Sequence, residues 1–266
     1  MQTTQRHGLS FLRTRPGETP SRSALTLSAT LAALLLVAFI AIPMHRSGIQ
    51  WDFSGLREYW RLYVEGWKTT LAISAAALAL STVLGLLLAL AKGSPWLPIQ
   101  FLARTLIELL RGTPFLAQIY LFFYILAHSV HLENRYLAGT LILSLFSSAY
   151  LAEILRAGIE SVSPSQIESA QALGFTPAQT YRHVLLPQAL RSILPPLAGQ
   201  FVSLIKDSSL LSIIGLNELT QNAKNVASYT FSNFESYFLL AAGYLLLTLP
   251  IALGTRWLEK KIRYEN

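Results

Sequence analysis

Residues 67–91 read WKTTLAISAAALALSTVLGLLLALA, and Lys68 is the single charged residue in this stretch. A helix needs about 20 apolar residues to cross the hydrocarbon core of a bilayer, so the stretch is long enough to span a membrane. Hydrocarbon offers no water to open backbone groups, and spanning segments are therefore helices or strands of closed barrels. The sequence shows no dyad-repeat strand pattern typical of a barrel. We therefore expect an all-α protein.

Further apolar stretches lie on both sides of this one, at residues 24–42, 97–127, 136–155, 188–206 and 237–257. The fifth of these six stretches could extend to Ile214. The chain is 52% hydrophobic and 13% charged, whereas soluble domains average about 25% charged residues. The sequence thus predicts a polytopic membrane protein with about six transmembrane helices.

Basic residues are concentrated at the two ends of the chain and beside the apolar stretches. By the positive-inside rule, both ends belong in the cytoplasm, and six crossings satisfy this requirement. The net charge of +7 is then explained by basic residues that mark the cytoplasmic side of the membrane, and we expect no nucleic-acid partner. The expected organisation is a basic cytoplasmic tail (1–23), an additional N-terminal transmembrane anchor (24–43), a periplasmic or extracellular loop (44–66), a membrane domain (67–258) and a cytoplasmic tail (259–266).

The stretch 97–127 is expected to be kinked. Three consecutive residues interrupt it, Gly112, Thr113 and Pro114, and proline removes one hydrogen bond of the helix. Three charged residues precede the interruption on helical spacing, Arg104, Glu108 and Arg111. They either face other helices or a polar cavity, or they lie at headgroup level with the arginines reaching toward water.

Residues 163–187 read SPSQIESAQALGFTPAQTYRHVLLP, which is too polar to span a membrane. A capping-box pattern with proline at the first helical position begins at Ser163 and again at Thr176. Gly174 lies between them and is placed to end the first helix, because glycine adopts the left-handed closing conformation without steric cost. The segment therefore predicts a helical hairpin, cytoplasmic in the topology above.

Two interpretations of this hairpin stay open from its pattern alone. Its first helix carries three residues on helical spacing, Ile167, Ala170 and Leu173, and could dock into a partner's groove as amphipathic helices do. Alternatively, the hairpin only joins two transmembrane helices.

A resemblance decides between these interpretations. The segment contains Glu168, Ser169 and Ala170, then Gly174, then Val184-Leu185-Leu186-Pro187. This order resembles the signature EAA, x3, G, x9, I, x, LP of the coupling segment in ATP-binding-cassette importer permeases of the type I fold. Ser169 and Val184 depart from the signature, both by small changes in shape.

Four other short motifs agree with the polar amino-acid branch of that family, which includes histidine, glutamine and arginine permeases: Arg111-Gly112-Thr113-Pro114 with Gln118, Ala152-Glu153-Ile154 with Arg156, Pro187-Gln188-Ala189, and Lys206-Asp207-Ser208-Ser209-Leu210. Their order and spacing are more specific than any one of them. The resemblance covers about residues 60–260, so residues 1–50 with their anchor lie outside it.

The resemblance implies a permease subunit in a bacterial plasma membrane. Its partners would be two cassette ATPase subunits, a second permease subunit, identical or homologous, and an external solute-binding protein. The sequence has no phosphate-binding loop of the form GxxxxGK[ST], so ATP and Mg²⁺ are expected on the ATPase, and the chain itself is expected to be no enzyme and to bind no cofactor or metal. Five residues would couple the ATPase to the membrane helices: Glu168, Ser169, Ala170, Gly174 and Pro187.

A polar solute needs polar side chains at membrane depth, and the candidates for its pathway are Gln118, Gln200, Lys206, Asp207 and Ser208. Lys206 and Asp207 are neighbours and do not share a helix face. If their helix begins at Gln188, Lys206 lies about 27 Å along it, near the outer headgroups. If Pro195 and Pro196 start a new helix, both residues move toward the middle of the membrane.

The alternative function is a secondary transporter of small polar solutes, driven by an ion gradient. Such transporters are commonly built from paired inverted halves with matching broken helices. No such internal repeat is visible in this sequence.

Overall fold

The computed structural model describes residues 21–46, 48 and 51–264. These residues form ten α-helices, and no β-strand occurs among them. The helices are α1 (Arg22–Arg46), α2 (Ser54–Lys92), α3 (Leu97–Gly112), α4 (Phe115–Leu121), α5 (Arg135–Glu160), α6 (Pro164–Ala172), α7 (Pro177–Thr180), α8 (Leu186–Asp207), α9 (Leu219–Thr230) and α10 (Asn233–Tyr264). Two π-helical segments follow α4 and α7, Phe122–Ala127 and Tyr181–Leu185, and a 3-10 segment follows α8, Ser208–Ile214. The expected all-α class is confirmed.

Helix α1 belongs to a separate unit that ends at Trp51, and the second unit starts at Asp52. Within α1, the window Arg22–Phe39 is long and apolar enough to cross a membrane. The helix covers the segment 24–43, where the sequence predicts an additional anchor. The expected basic tail, residues 1–23, lies outside the described residues except for its last three.

Five helices in the described part of the chain are long and apolar enough to cross a membrane, and the pair α3 and α4 brings the number to six if it counts as one crossing. Large apolar side chains such as Leu87 and Leu90 of α2 are exposed on the outside of the helices. This is the surface that lipid requires. The chain is therefore a multi-pass membrane protein, as the sequence predicts.

Helix α2 starts earlier than expected. The sequence predicts a loop over 44–66 and a helix from Trp67, whereas α2 begins at Ser54. A β-carbon at Gly66 would lie 2.8 Å from the Cα of Leu219 in α9, so a neighbouring helix packs directly on the early part of α2. Tertiary packing thus extends the helix beyond its apolar stretch.

Helix α10 also extends beyond its apolar stretch, in this case to Tyr264. The sequence predicts a tail over 259–266, so α10 covers most of that segment. The last two residues of the predicted tail, 265 and 266, lie outside the described part of the chain.

Helix α5 lies at the centre of the second unit and packs against α2 and α8. Its buried face includes several small residues, among them Ser147, Ser148 and Ala149, beside larger ones such as Leu143 and Phe146. A β-carbon at Gly85 of α2 would lie 2.8 Å from the Cβ of Leu151. Small residues allow this close approach, which is how helices commonly associate in membranes.

Helix α8 runs without a break through Pro195 and Pro196. Of the two alternatives for this stretch, the continuous helix is therefore correct. Lys206 lies about 27 Å from Gln188 along its axis, at the end far from the hairpin. The two proline residues therefore do not start a new helix before the pathway candidates Lys206 and Asp207.

Candidate functional site

Residues 163–187 form the predicted hairpin, and its turn is closed by a Schellman motif. The N–H of Phe175 donates to the carbonyl of Ala170 at 3.1 Å, and the N–H of Gly174 donates to that of Gln171 at 2.9 Å. Gly174 has φ of +84°, the left-handed conformation that this motif requires. The turn therefore depends on glycine for its backbone conformation.

The second helix of the hairpin has both halves of its capping box. Gln179 donates its N–H to Oγ1 of Thr176 at 3.3 Å, and Thr176 donates its N–H to Oε1 of Gln179 at 2.8 Å. The capping box predicted at Ser163 for the first helix is wrong, because no side chain caps the start of that helix. The hydroxyls of Ser163 and Ser165 bond to each other at 2.8 Å, and the N–H of Gln166 donates to the backbone carbonyl of Ser163.

The hairpin exposes some of its signature residues and buries another. Glu168 and Ser169 are exposed, as is Pro187 at the start of α8. Ala170 is 4% exposed, because α6 packs there against α7 and the π-helical residues after it, whereas Leu173 is 78% exposed. Ala170 therefore packs inside this chain and cannot offer its side chain to a partner. The side chains of Glu168 and Leu173 are exposed and can contact a partner.

The base of the hairpin is clamped. A β-carbon at Gly158 of α5 would lie 2.2 Å from Cγ1 of Ile193 in α8, and the hydroxyl of Ser161 donates to that of Ser192 at 2.9 Å. Val162 and Ile193 share a buried apolar cluster. Close-packed contacts transmit displacement with little compression. Movement of the hairpin must therefore move α5 and α8 together.

A cluster of charges joins α2, α3 and α5 close to this base. The carboxylate of Glu153 accepts from Lys92 at 2.5 Å and lies 3.4 Å from Arg156 and 3.7 Å from Arg111. The side chains of Lys92 and Glu153 are each 20% exposed, so this pair is better shielded than a surface ion pair. The sequence motifs contain Arg111, Glu153 and Arg156 but do not indicate that these side chains meet. Lys92 was missed because a cation at the end of a transmembrane helix is usually interpreted as a marker of the cytoplasmic side.

The break between α3 and α4 lies where the sequence predicts a kink, and the two helices are bent by 111°. Thr113 and Pro114 have extended backbone conformations. Gln118 is buried, and its Nε2 donates to the carbonyl of Leu110 at 2.7 Å and to Oγ1 of Thr113 at 2.8 Å. The amide thus caps the carbonyls that the broken helix leaves open, so these donors serve the backbone and not a solute.

The other pathway candidates lie along α8 and at its end. Gln200 donates from Nε2 to the hydroxyl of Ser147 in α5 at 3.2 Å. Ser208 is fully buried, and its hydroxyl donates to the carbonyl of Ile205. Lys206 is exposed and Asp207 is partly buried. Gln118 thus lies at the break between α3 and α4, whereas the other four candidates follow one another between residues 200 and 208.

Glu218 is a buried acid that the sequence analysis missed. It precedes α9 and accepts from the N–H groups of Thr220 and Gln221 at 2.8 Å each, and from the hydroxyl of Tyr244 at 2.8 Å. Burial raises the pKa of the Glu218 carboxyl, and these hydrogen bonds oppose the shift. Glu218 is the N-cap of α9, a position where serine, threonine, aspartate and asparagine are the usual residues, so no sequence pattern indicated this role.

Two histidines lie together between the π-helical segment Phe122–Ala127 and α5. His128, His131 and Glu133 line a cavity of about 420 Å³. Across residues 21–46, 48 and 51–264, no group of three or more histidine or acidic side chains is arranged to hold a metal ion.

Comparison with known proteins gives relatives along most of the chain. The family described as "Binding-protein-dependent transport system inner membrane component" matches residues 81–264. A probable glutamine ABC transporter permease of Bacillus subtilis (strain 168) is 37% identical over 79% of this chain and 98% of its own length. A glutamine transport system permease of Escherichia coli (strain K12) is 34% identical over 81% and 99%.

Solved structures agree with these relatives. A chain from the crystal structure of an amino acid ABC transporter with histidines is 37% identical, with a TM-score of 0.75 over 80% of this chain and all of that one. A chain of an inward-facing methionine ABC transporter is 19% identical, with a TM-score of 0.65 over 76% and 96%, and supports the fold. The predicted importer permease fold is thus confirmed, and this chain belongs to the family of binding-protein-dependent transport system inner membrane components.

Proposed function

We propose that this chain forms the transmembrane pathway for a polar amino acid in an ATP-driven importer. Glutamine is the first candidate for the solute, because two relatives that align over almost their whole length are named as glutamine permeases. The alternative of a secondary transporter driven by an ion gradient has no support among the relatives.

The hairpin is the observation that carries this proposal. Its first helix exposes Glu168 and Leu173. At its base, the contact of Gly158 with Ile193 holds α5 and α8 together. An ATPase that binds the tip would move two transmembrane helices as one rigid unit, which is how packed elements convert local closure into alternating access. The Glu168 carboxylate would pair with a cation of the ATPase.

The hairpin is proposed to face the cytoplasm of a bacterium, with both chain termini on the same side. Four cations lie near the hairpin end of the helices, Lys92, Arg104, Arg111 and Arg156. An excess of lysine and arginine marks the cytoplasmic side of membrane proteins. Charge and hairpin therefore support the same orientation.

The partners proposed for this permease follow from what the chain lacks in sequence. It has no GxxxxGK[ST] loop, so separate ATPase subunits would hold ATP and Mg²⁺ and carry out hydrolysis. A second permease subunit would complete the pathway, and an external binding protein would deliver the solute. Of the pathway residues, we keep Gln200, Lys206 and Asp207 as proposed solute contacts, because they are not fully buried.

Reconstitution tests the proposal. The chain is placed in proteoliposomes with its ATPase, and uptake of labelled glutamine is followed with ATP inside and binding protein outside. We expect uptake that requires both, with a large loss in Glu168→Ala and no loss in Glu133→Ala, an exposed acid far from the hairpin. Uptake that follows an imposed ion gradient without ATPase would overturn the proposal.

A further inference from the structure

A cavity of about 590 Å³ lies where α2, α3, α5 and the start of α8 meet. Part of its lining is apolar, with Leu86, Leu90, Leu155, Ile159, Leu190 and Ile193. The rest carries charge, from Lys92, Arg104, Arg156 and Glu160, next to the ring of Tyr181. The volume lies within the range of about 300–1,000 Å³ that small-molecule sites occupy.

The charges of this lining are not balanced. Lys92 pairs with Glu153, which lies just outside the lining, and Arg156 pairs with Glu153 and Glu160. Arg104 is exposed, and the described residues give it no ion pair. Glu108, one helical turn further along α3, does not line the cavity. One guanidinium is therefore available for an anion.

The position of the cavity in the membrane indicates what that anion is. Lys92 is the last residue of α2 and Glu160 is the last residue of α5, and Arg104 of α3 lines the same cavity as these two helix ends. Headgroups are found near the ends of transmembrane helices. Three of the apolar residues, Leu86, Leu155 and Ile193, lie five to seven residues further along their helices, which places them about 8–10 Å deeper than those ends. A free phosphate ion has no apolar surface that could pack against these apolar side chains, whereas a phospholipid has acyl chains.

We propose that this cavity binds the headgroup of an anionic phospholipid, with Arg104 donating to its phosphate and the apolar wall contacting an acyl chain. Guanidinium groups match phosphate oxygens in a bidentate manner. Basic pockets between transmembrane helices on the cytoplasmic side are known to hold such headgroups. The site goes beyond the transport function and depends neither on the solute nor on the ATPase.

Native mass spectrometry of the purified full chain in detergent tests this site. Phosphatidylglycerol or phosphatidylcholine with the same acyl chains is added, and retained lipid is counted. We expect selective retention of phosphatidylglycerol, weakened about tenfold or more in Arg104→Ala, as the loss of a charge-assisted bidentate pair implies. Arg104→Lys keeps the charge but not the bidentate geometry, and should retain an intermediate part of the binding. Arg191→Ala, which removes an exposed cation of α8 outside the lining, should retain all of it.

Three results would overturn the lipid site. They are equal retention of the two lipids, unchanged retention in Arg104→Ala, and displacement of phosphatidylglycerol by an equal concentration of glycerol phosphate, which would indicate a site for soluble anions. Arg104→Gln is measured beside Arg104→Ala, and both are compared with the native chain by size exclusion and circular dichroism, so that loss of lipid is separated from loss of fold.

Discussion

Gly158 of α5 and Ile193 of α8 approach so closely that a β-carbon on residue 158 would lie 2.2 Å from Cγ1 of the isoleucine. The same β-carbon would lie 3.3 Å from the carbonyl oxygen of Ala189. Carbon atoms in favourable contact are separated by about 3.5–4.0 Å, so only glycine fits. The contact fixes the two helices that enter and leave the hairpin, and the proposed coupling depends on it.

The first prediction concerns this contact. Gly158→Ala should force α5 and α8 apart and destabilise the chain by about 1–3 kcal/mol, the usual cost of overpacking. ATP hydrolysis in the reconstituted importer should persist while uptake per ATP falls. The matched control is Gly199→Ala, since a β-carbon there meets nothing within 4 Å. Equal uptake per ATP in both variants would contradict the clamp.

The second prediction concerns the turn of the hairpin. A β-carbon at Gly174 would touch no neighbour within 4 Å, yet the residue has φ of +84°, so a substitution acts through backbone strain and not through a clash. Gly174→Val should abolish transport while the chain still inserts, because the left-handed conformation costs an ordinary residue about 1–2 kcal/mol. Gly174→Asn should keep much of the uptake, since asparagine tolerates this conformation.

Uptake and membrane content are measured for both Gly174 variants in the same vesicles. If asparagine and valine at residue 174 are equally damaging, the backbone conformation of the turn is not what matters. If valine leaves uptake intact, the hairpin has no role in coupling.

The third prediction concerns the shared carboxylate. Glu153→Gln removes the charge that faces Lys92, Arg111 and Arg156, and it should lower the free energy of unfolding by about 1–3 kcal/mol, the cost of leaving charged donors poorly paired. The control is Glu65→Gln, which breaks an ion pair whose side chains are more than 60% exposed and should cost less than about 1 kcal/mol. Thermal unfolding in detergent measures both, and equal shifts would show that Glu153 is no more than a surface acid.

The fourth prediction separates two roles for Gln118. Its amide donates to carbonyls at the end of α3, so Gln118→Glu replaces donors by acceptors and should destabilise the chain by about 1–3 kcal/mol. The affinity for glutamine in uptake should change little in the fraction that stays folded. A changed KM with unaltered thermal stability would instead assign Gln118 to the solute pathway.

The hairpin could be predicted from the sequence because its signals are local. Thr176 and Gln179 lie three residues apart, and Gly174 needs no distant residue to close the turn. Spans such as α2 and α5 were visible for a similar reason, since hydrocarbon selects long apolar stretches. The position at which α2 starts could not be predicted from the sequence, because it depends on packing against α9.

The candidate site was harder to predict because its contacts join distant residues. Lys92 and Glu153 are 61 positions apart, and no pattern in either helix indicates that they meet. Gln118 was assigned to the pathway because a polar residue in an apolar stretch suggests a solute contact. The carbonyls of a broken helix need donors as well, and this demand appears only once the geometry of the break is known.

The orientation and accessibility of the hairpin test the account most directly. The native sequence contains no cysteine, so Gln171→Cys, at an exposed position of α6 that leaves Glu168 in place, provides one thiol for a membrane-impermeant maleimide. Asn217→Cys provides a thiol in a second variant, beyond the opposite end of α8. We predict that residue 171 reacts in inside-out vesicles and is protected when the ATPase binds, whereas residue 217 reacts in right-side-out vesicles. Labelling of residue 171 from the outside, or labelling that the bound ATPase leaves unchanged, would contradict the proposed coupling.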